Sequence, residues 1–162
     1  MTPLTEHFTL QELVGSQEGA RRGIDNTPSP DIMRNLIRLC DQILEPLRNA
    51  ISRPIVVSSG YRCAALNAAV KGSKNSDHLR GYAADITAPG MDLDELAEKV
   101  RTLSPYVPLK QCIKEFGQWV HVSCTPANDD YDADFVPQFL VATLNDKGET
   151  VYSPWSSNGR VS

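Results

Sequence analysis

The longest regular pattern of apolar and polar positions in the chain is helical. It follows Ser29-Pro30, a pair typical of a helix start because proline lacks only an N–H that the first turn leaves unbonded. Apolar residues then recur every three or four positions, which predicts an amphipathic helix over 30–50 that backs the core. These apolar positions are Ile32, Leu36, Leu39, Cys40, Ile43, Leu44 and Leu47.

Shorter helices are predicted by start signals and composition. Thr9 and Glu12 match a capping box, in which each side chain bonds the other residue's backbone N–H, so a short helix is expected there. Asp92 is placed to cap a further helix whose apolar residues share one face. The alanine-rich segment 64–70 favours a helix by intrinsic propensity.

Short β-branched or alternating runs predict the strands of a sheet, with a hairpin around Gly117. The runs cover 55–58, 83–86, 112–113, 119–120 and 139–144. No repeat or low-complexity linker divides the chain. We therefore predict an α+β fold with one domain over 1–144, followed by a turn and trailing segment over 145–162.

Length and charge narrow the class of protein. A chain of 162 residues can bury roughly 70% of its unfolded surface, so it needs no disulfide or metal merely to fold. The net charge of -4 lacks the basic excess of phosphate-binding proteins, which predicts no nucleic-acid partner. The apolar runs are much shorter than the roughly 20 residues of a membrane helix, so no membrane insertion is expected. We expect a soluble, monomeric protein.

The cysteines and the start of the chain carry two further expectations. The cysteines are widely spaced and form no C-x-x-C pair, so we interpret them as reduced thiols that pack in the interior. The first residues lack the basic start and apolar stretch of a secretory signal. We therefore expect synthesis in the cytoplasm, with another protein delivering the chain to any target outside it.

Two of the three histidines stand in contexts that suggest a metal site. His78 and Asp85 are separated by a segment that Gly81 allows to bend, and His121 lies in an alternating strand. Catalytic zinc typically takes three N or O ligands and leaves a fourth position for water. His78, Asp85 and His121 satisfy that requirement. The alternative remains that each is an ordinary hydrogen-bonded histidine or aspartate in a metal-free domain.

Zinc at such a site would lower the pKa of bound water and polarise a carbonyl oxygen, so that the water could attack a peptide bond. A carboxylate would then be needed to hold and relay the proton of that water. Glu115 precedes His121, and a hairpin through Gly117 would bring the Glu115 carboxylate beside the metal. By default Arg62, in the turn 58–62, would be a solvated charge.

Several segments together resemble the zinc D-alanyl-D-alanine carboxypeptidase family. The likeness is strongest to its phage and bacterial peptidoglycan-peptidase branch, related to VanY-type carboxypeptidases, and it extends over about residues 5–125. The segments are Phe8 to Leu13, Gly23 to Pro28, Ser58-Ser59-Gly60-Tyr61-Arg62, Ala65-Leu66-Asn67, Ser76 to Asp85, and Trp119-Val120-His121-Val122-Ser123.

This resemblance implies a Hedgehog/DD-peptidase fold, with helices packed on a small antiparallel sheet, and Zn²⁺ held by His78, Asp85 and His121. It implies that Arg62 binds substrate or stabilises the developing oxyanion, since a guanidinium fits a carboxylate with two hydrogen bonds. Tyr61 and Ser76 are implied as further substrate-binding residues, Ser76 either directly or behind the metal ligands.

One position departs from the family pattern. Several relatives carry the catalytic carboxylate three residues before the last zinc-binding histidine, where this chain has Gln118. An amide cannot act as a general base. The branch that the chain resembles often has a glutamate six residues before that histidine, and we therefore assign the role to Glu115.

The resulting hypothesis is a zinc metallopeptidase that cuts a peptide bond of the peptidoglycan stem peptide, either D-Ala-D-Ala as a carboxypeptidase or L-Ala-D-Glu as an endopeptidase. A phage or prophage lysin released through a holin, or a virion component, is expected. The alternative is a non-catalytic module that retains zinc and binds the cell wall or a virion partner.

Overall fold

A six-stranded sheet forms the centre of the computed structural model, which describes residues 1–127 and 135–155. The strand order is β1-β2-β4-β3-β5-β6. Neighbouring strands are antiparallel except β3 and β5, which run parallel. The bounds are β1 Val56–Ser59, β2 Ala83–Thr87, β3 Leu109–Glu115, β4 Trp119–Cys124, β5 Gln138–Leu144 and β6 Thr150–Pro154.

Six α-helices lie within the described ranges. They are α1 Leu10–Val14, α2 Gln17–Arg22, α3 Pro30–Leu39, α4 Glu45–Ile51, α5 Ala64–Ala69 and α6 Leu93–Leu103. Short 3₁₀ turns occur at Asp77–Arg80 and Ser104–Tyr106. The predicted capping box is present, since the Thr9 side chain accepts from the Glu12 N–H and the Glu12 carboxylate accepts from the Thr9 N–H.

The predicted long helix is three consecutive segments. The π-helical turn Cys40–Leu44 joins α3 directly to α4, with no loop residue between the segments. Pro46, at the start of α4, has no N–H for the regular i→i−4 ladder. The change of hydrogen-bonding pattern therefore falls next to the residue that cannot take part in it.

The hydrophobic core lies between one face of the sheet and the helices α3, α4 and α6. From the sheet it includes Ala84, Ile86, Cys112, Val120 and Val122. Successive side chains of a strand point to opposite faces. The other face of the central strands is therefore free to carry polar residues, and Asp85 and His121 lie on it.

The sheet continues beyond residue 144, where the sequence predicts only a turn and a trailing segment. Residues 145–149 do form a turn, but β6 follows and pairs with β5. Arg101 of α6 fixes this hairpin, because its guanidinium lies 4.0 Å from the Phe139 ring centroid and 4.2 Å from that of Trp155. The strand escapes prediction because its own residues are mostly exposed. Residues 156–162 of the predicted tail lie outside the described residues.

The predicted α+β fold is confirmed, with a mostly antiparallel sheet. No helix among the described residues is long and apolar enough to cross a membrane. The four cysteines are free thiols, of which Cys40, Cys112 and Cys124 are buried and Cys63 is half-buried.

Candidate active site

The centre of the site is a pair of residues that face each other on neighbouring strands. Asp85 of β2 and His121 of β4 are direct cross-strand partners. The His121 Nδ1 lies 3.0 Å from the Asp85 Oδ1. Both side chains are buried. Sheet register alone therefore brings together two residues that are 36 positions apart in the sequence.

The third member, His78, comes from a 3₁₀ turn that leads into β2. Ser76 caps this turn by accepting the His78 N–H, and Gly81 ends it in the left-handed conformation, φ 74°. The His78 Nδ1 lies 2.6 Å from the Gly60 carbonyl oxygen. A carbonyl oxygen only accepts hydrogen bonds, so Nδ1 carries the proton. The Nε2 lone pair is thereby directed to the Asp85 side, 3.2 Å from Oδ1.

These three side chains form a donor set that fits zinc. Their ligand atoms lie within 4.8 Å of one another, and all three residues are buried. Two imidazole nitrogens and one carboxylate, with no fourth donor from the described residues in the group, match a catalytic rather than a structural zinc site. The hydrogen bond from His78 to a backbone carbonyl is the usual means of orienting a zinc-bound histidine.

The electrostatics of Asp85 and His78 favour the protonation states that a cation needs, an ionised carboxylate and a neutral imidazole. Burial alone would raise the pKa of the Asp85 carboxyl, but hydrogen bonds with His121 and His78 hold it well below its usual range. Burial lowers the pKa of His78, which keeps this imidazole neutral. Burial also disfavours the charged form of His121, but the Asp85 carboxylate outweighs it and raises the His121 pKa. A buried cation would take the place of that stabilising proton.

The loop after β1 supplies the carbonyl that orients His78, and it has no room for a side chain. A Cβ on Gly60 would lie 2.3 Å from the Leu13 carbonyl oxygen. The same oxygen accepts the Tyr61 N–H at 2.7 Å. Asn26 fixes the loop from outside, because its amide donates to the Val14 and Tyr61 carbonyls and accepts the Cys63 N–H.

Arg62 lies at the β1 side of the metal-ligand group. Its backbone N–H donates to the His78 carbonyl, and its Nη2 lies 3.4 Å from the Ser76 Oγ. Its Nε is buried and makes no hydrogen bond to the described part of the chain. Burial lowers the pKa of this guanidinium, but Arg62 remains charged at any physiological pH. The donor that lacks a partner therefore suits an anionic group from outside the chain.

Ser76 and Tyr61, the two other predicted substrate contacts, have different surroundings. Ser76 faces both Arg62 and the His78 backbone, which makes it a residue that positions them, although it also lines the groove. Tyr61 is half-buried, packs against the core and contributes to the groove wall.

Glu115 lies on the same face of the sheet as His121. One of its carboxylate oxygens is 3.8 Å from the His121 Nδ1, and the other accepts the Trp119 indole N–H at 3.0 Å. Burial raises the pKa of this carboxyl above its ordinary value. Gln118 is exposed in the β3–β4 turn and does not line the groove. Gln118, at the position where the resemblance led us to look for a carboxylate, therefore lies outside the groove.

One groove of about 1560 Å³ is lined by the three members of the zinc-compatible group together with Glu115, Arg62, Ser76 and Tyr61. Its floor is the polar face of the sheet, and its walls come from α1, α2, the loops around Arg62 and Ser76, and the hairpin of β5 and β6. His78, Asp85, His121 and Glu115 lie on the floor. A groove of this size can take a peptide substrate on both sides of the metal-ligand group.

The family model described as Peptidase M15 matches residues 6–123. The chain belongs to peptidase family M15. The matched range includes His78, Asp85, His121, Glu115 and Arg62, and it ends before β5. The chain is also 37% identical over 59 residues to a zinc D-Ala-D-Ala carboxypeptidase of Streptomyces albus G. That match covers 36% of this chain and 23% of the relative, so it spans less than a quarter of the relative's length.

Membership of family M15 confirms the resemblance found in the sequence. Together with the His78–Asp85–His121 group it also confirms the expected enzyme class, a zinc-dependent peptidase, and zinc as the cofactor of that class.

Three contributions to the site escape sequence reasoning. Gly60 and Asn26 occur within the segments that resemble the family, but their tasks depend on contacts with α1 that no local pattern reveals. Tyr152 reaches the groove on β6, a strand that the sequence does not predict.

Proposed function

We propose that this member of family M15 hydrolyses a peptide bond in the stem peptide of peptidoglycan. The observation that carries the proposal is the buried His78–Asp85–His121 group on the floor of an open groove, with the Glu115 carboxylate beside it. The name of the Streptomyces relative, a zinc D-Ala-D-Ala carboxypeptidase, supports peptidoglycan as the substrate class.

Each side chain of the site has a distinct role in the proposed hydrolysis. Zinc held by His78, Asp85 and His121 would polarise the scissile carbonyl and lower the pKa of water to near neutrality. Glu115 takes the proton of the attacking water and passes it to the leaving amine, and burial poises its carboxyl for this exchange by raising its pKa. The Trp119 indole holds one Glu115 oxygen, which leaves the other turned to the metal ligands. Arg62 binds a carboxylate of the substrate.

The form of the groove favours an endopeptidase that cuts L-Ala-D-Glu. A carboxypeptidase needs a pocket closed behind the terminal residue, whereas this groove continues past the metal ligands as far as β6. The name of the Streptomyces relative favours the D-Ala-D-Ala carboxypeptidase as the second candidate. Arg62 serves either, because both bonds are followed by a residue with a free carboxylate.

The deciding experiment is digestion of defined peptidoglycan by the zinc-loaded protein, with the products identified by mass spectrometry. Stem peptide released after L-Ala would establish the endopeptidase, and free D-alanine would establish the carboxypeptidase. Intact substrate from several wall chemotypes, with zinc measured in the protein, would contradict both. That result would favour the alternative, a non-catalytic module that retains zinc and binds the cell wall.

Replacement of Glu115 tests the mechanism. Glu115→Gln retains an oxygen that can accept the Trp119 N–H but removes the base, so kcat should fall by about 10²–10⁴. Zinc content should stay stoichiometric. Gln118→Glu is the matched control: added to Glu115→Gln it restores a carboxylate at the exposed turn, and we expect no recovery. Full activity of Glu115→Gln alone would remove Glu115 from the mechanism, and recovery in the double variant would contradict the placement of residue 118 outside the site.

The biological setting is proposed on the resemblance of residues 5–125 to the phage and bacterial branch. We propose a monomeric phage or prophage lysin that is made in the cytoplasm and reaches the wall after holin-type release, or a virion component. Added to permeabilised Gram-negative cells or isolated sacculi, the protein should lower turbidity. Turbidity that stays constant while isolated stem peptides are cleaved would contradict a lytic role.

A further inference from the structure

The hairpin of β5 and β6 lies outside the part of the chain that matches family M15, which ends at residue 123. Nevertheless it forms one wall of the groove, through Leu140, Thr150 and Tyr152. The groove residues within the matched range are thus bordered by a surface that lies outside that range.

Strand register places this surface in line with the reacting groups. Glu115 pairs with Ala142, and Ala142 pairs with Tyr152, so the three residues lie side by side on one face across β3, β5 and β6. With strands about 4.8 Å apart, Tyr152 lies about 10 Å beyond Glu115. This distance corresponds to about three residues of an extended peptide.

Contacts with α6 anchor the hairpin. Its opposite face carries Phe139 and Trp155, whose rings lie 5.6 Å apart and enclose the Arg101 guanidinium. Arg101 also donates to the Trp155 carbonyl at 3.0 Å. At the near end, the Phe116 N–H donates to the Ala142 carbonyl, which ties the β3–β4 turn to β5.

The two ends of the groove differ in chemistry. Arg62 lies on the β1 side of the metal-ligand group, whereas the β6 side presents the uncharged residues Phe116, Leu140, Thr150 and Tyr152. Tyr152 combines an aromatic ring with a hydroxyl and is 55% exposed, so it is available to a ligand. Burial raises the pKa of that hydroxyl, and the Glu115 charge adds to the effect, so the hydroxyl is a neutral donor.

The difference between the two ends of the groove determines which way the substrate peptide runs along it. Both candidate bonds of the stem peptide are followed by a residue with a free carboxylate, which belongs at Arg62. The chain on the other, acyl side of the scissile bond must then run towards β6. On the basis of the proposed function, we infer that the β5–β6 hairpin binds the acyl side of the stem peptide, and that Tyr152 is a specificity-determining contact there.

The test compares substrates that differ only on the acyl side. The probes are a muramoyl stem peptide and the same peptide shortened stepwise from its amino end to the shortest that is still cleaved. For the wild type, kcat/KM should rise with acyl-side length. Tyr152→Ala should lose about tenfold on the long substrate and less than about twofold on the shortest. Tyr152→Phe should retain most of the advantage of the long substrate, because it keeps the ring.

Matched controls separate binding from folding. Tyr106→Ala removes an 83%-exposed tyrosine outside the groove, and Val151→Ala alters the opposite face of β6. Both should behave as wild type. Zinc content and Tm should be unchanged in Tyr152→Ala, since its side chain is largely exposed.

The outcomes distinguish this inference from the proposed function. If the wild type shows no advantage for longer acyl sides, or if Tyr152→Ala keeps that advantage, the inference is wrong while the peptidase stands. If the wild type cleaves nothing, the proposed function is wrong. Calorimetric binding of the long peptide then decides whether the hairpin is a binding surface. Weaker binding to Tyr152→Ala than to Tyr106→Ala would retain the binding surface, and equal binding would overturn it.

Discussion

Gly60→Ala is a small change that should weaken both the fold and the metal site. The added Cβ would lie 2.3 Å from the Leu13 carbonyl oxygen and 3.0 Å from its carbonyl carbon. These distances are about 1 Å inside normal contact. Both atoms belong to the backbone of α1, so no side-chain rotation relieves the overlap. The loop must move away from α1 or the helix must shift.

The size of the effect follows from what the movement disrupts. Overpacking of this kind costs about 3 kcal/mol, which lowers the Tm of a chain of this length by roughly 6–12 °C. The displaced Gly60 carbonyl no longer orients His78 through the 2.6 Å hydrogen bond to Nδ1. Loss of such a contact behind a metal ligand reduces metal affinity by about 10–100-fold.

The assay is thermal unfolding followed by circular dichroism, together with zinc competition against a chromogenic chelator. Gly19→Ala serves as the control, because a Cβ there would lie 3.4 Å or more from its neighbours Ser16 and Leu66. That variant should match or slightly exceed the wild-type Tm, since alanine favours a helix. A Gly60→Ala variant with the Tm and zinc affinity of the wild type would refute the reasoning. A lowered Tm with unchanged zinc affinity would refute the role of the carbonyl.

Three further results are expected. His121→Ala should lose its bound zinc, as measured by plasma mass spectrometry, because two remaining ligands rarely hold a catalytic ion; stoichiometric metal would contradict the ligand assignment. Acidification through about pH 6 should release zinc from the wild type, since only neutral imidazole binds the ion; a release profile that does not change with pH would argue against histidine ligands. In native protein at pH 8, a thiol reagent should label Cys63 alone, because burial raises the pKa of Cys40, Cys112 and Cys124 to about 12; rapid labelling of more than one thiol would contradict their burial.

The sequence predicts most of the fold where local signals and core periodicity agree. The capping box of Thr9 and Glu12, the proline start of α3 and the hairpin around Gly117 all form as expected. The parallel alignment of β5 with β3 could not be predicted, since pairing between distant strands leaves no local pattern. The strand β6 was missed because its own residues are mostly exposed and because the contact of Trp155 with Arg101 of α6 forms only in the folded chain.

For the site, the sequence indicates which residues take part but not how their side chains are oriented. His78, Asp85 and His121 can be proposed from chemistry and resemblance, and the structure brings all three together. The orientation of Glu115 towards the group, with Gln118 turned outward, depends on the length and turn of the β3–β4 hairpin. The roles of Gly60 and Asn26 depend on α1, which packs beside β1 only in the folded chain.

The direct pairing of Asp85 with His121 has a consequence for how the protein folds. A slip of one residue between β2 and β4 would turn one ligand to the opposite face of the sheet, so zinc can bind all three donors only in the native alignment. Zinc held by these three residues would therefore favour the native strand register as well as serve as a cofactor. A ligand that binds only the native state adds about 2.7 kcal/mol at one hundred times its Kd. A chain that folds without metal should thus gain stability when zinc is supplied, and only in the native strand alignment.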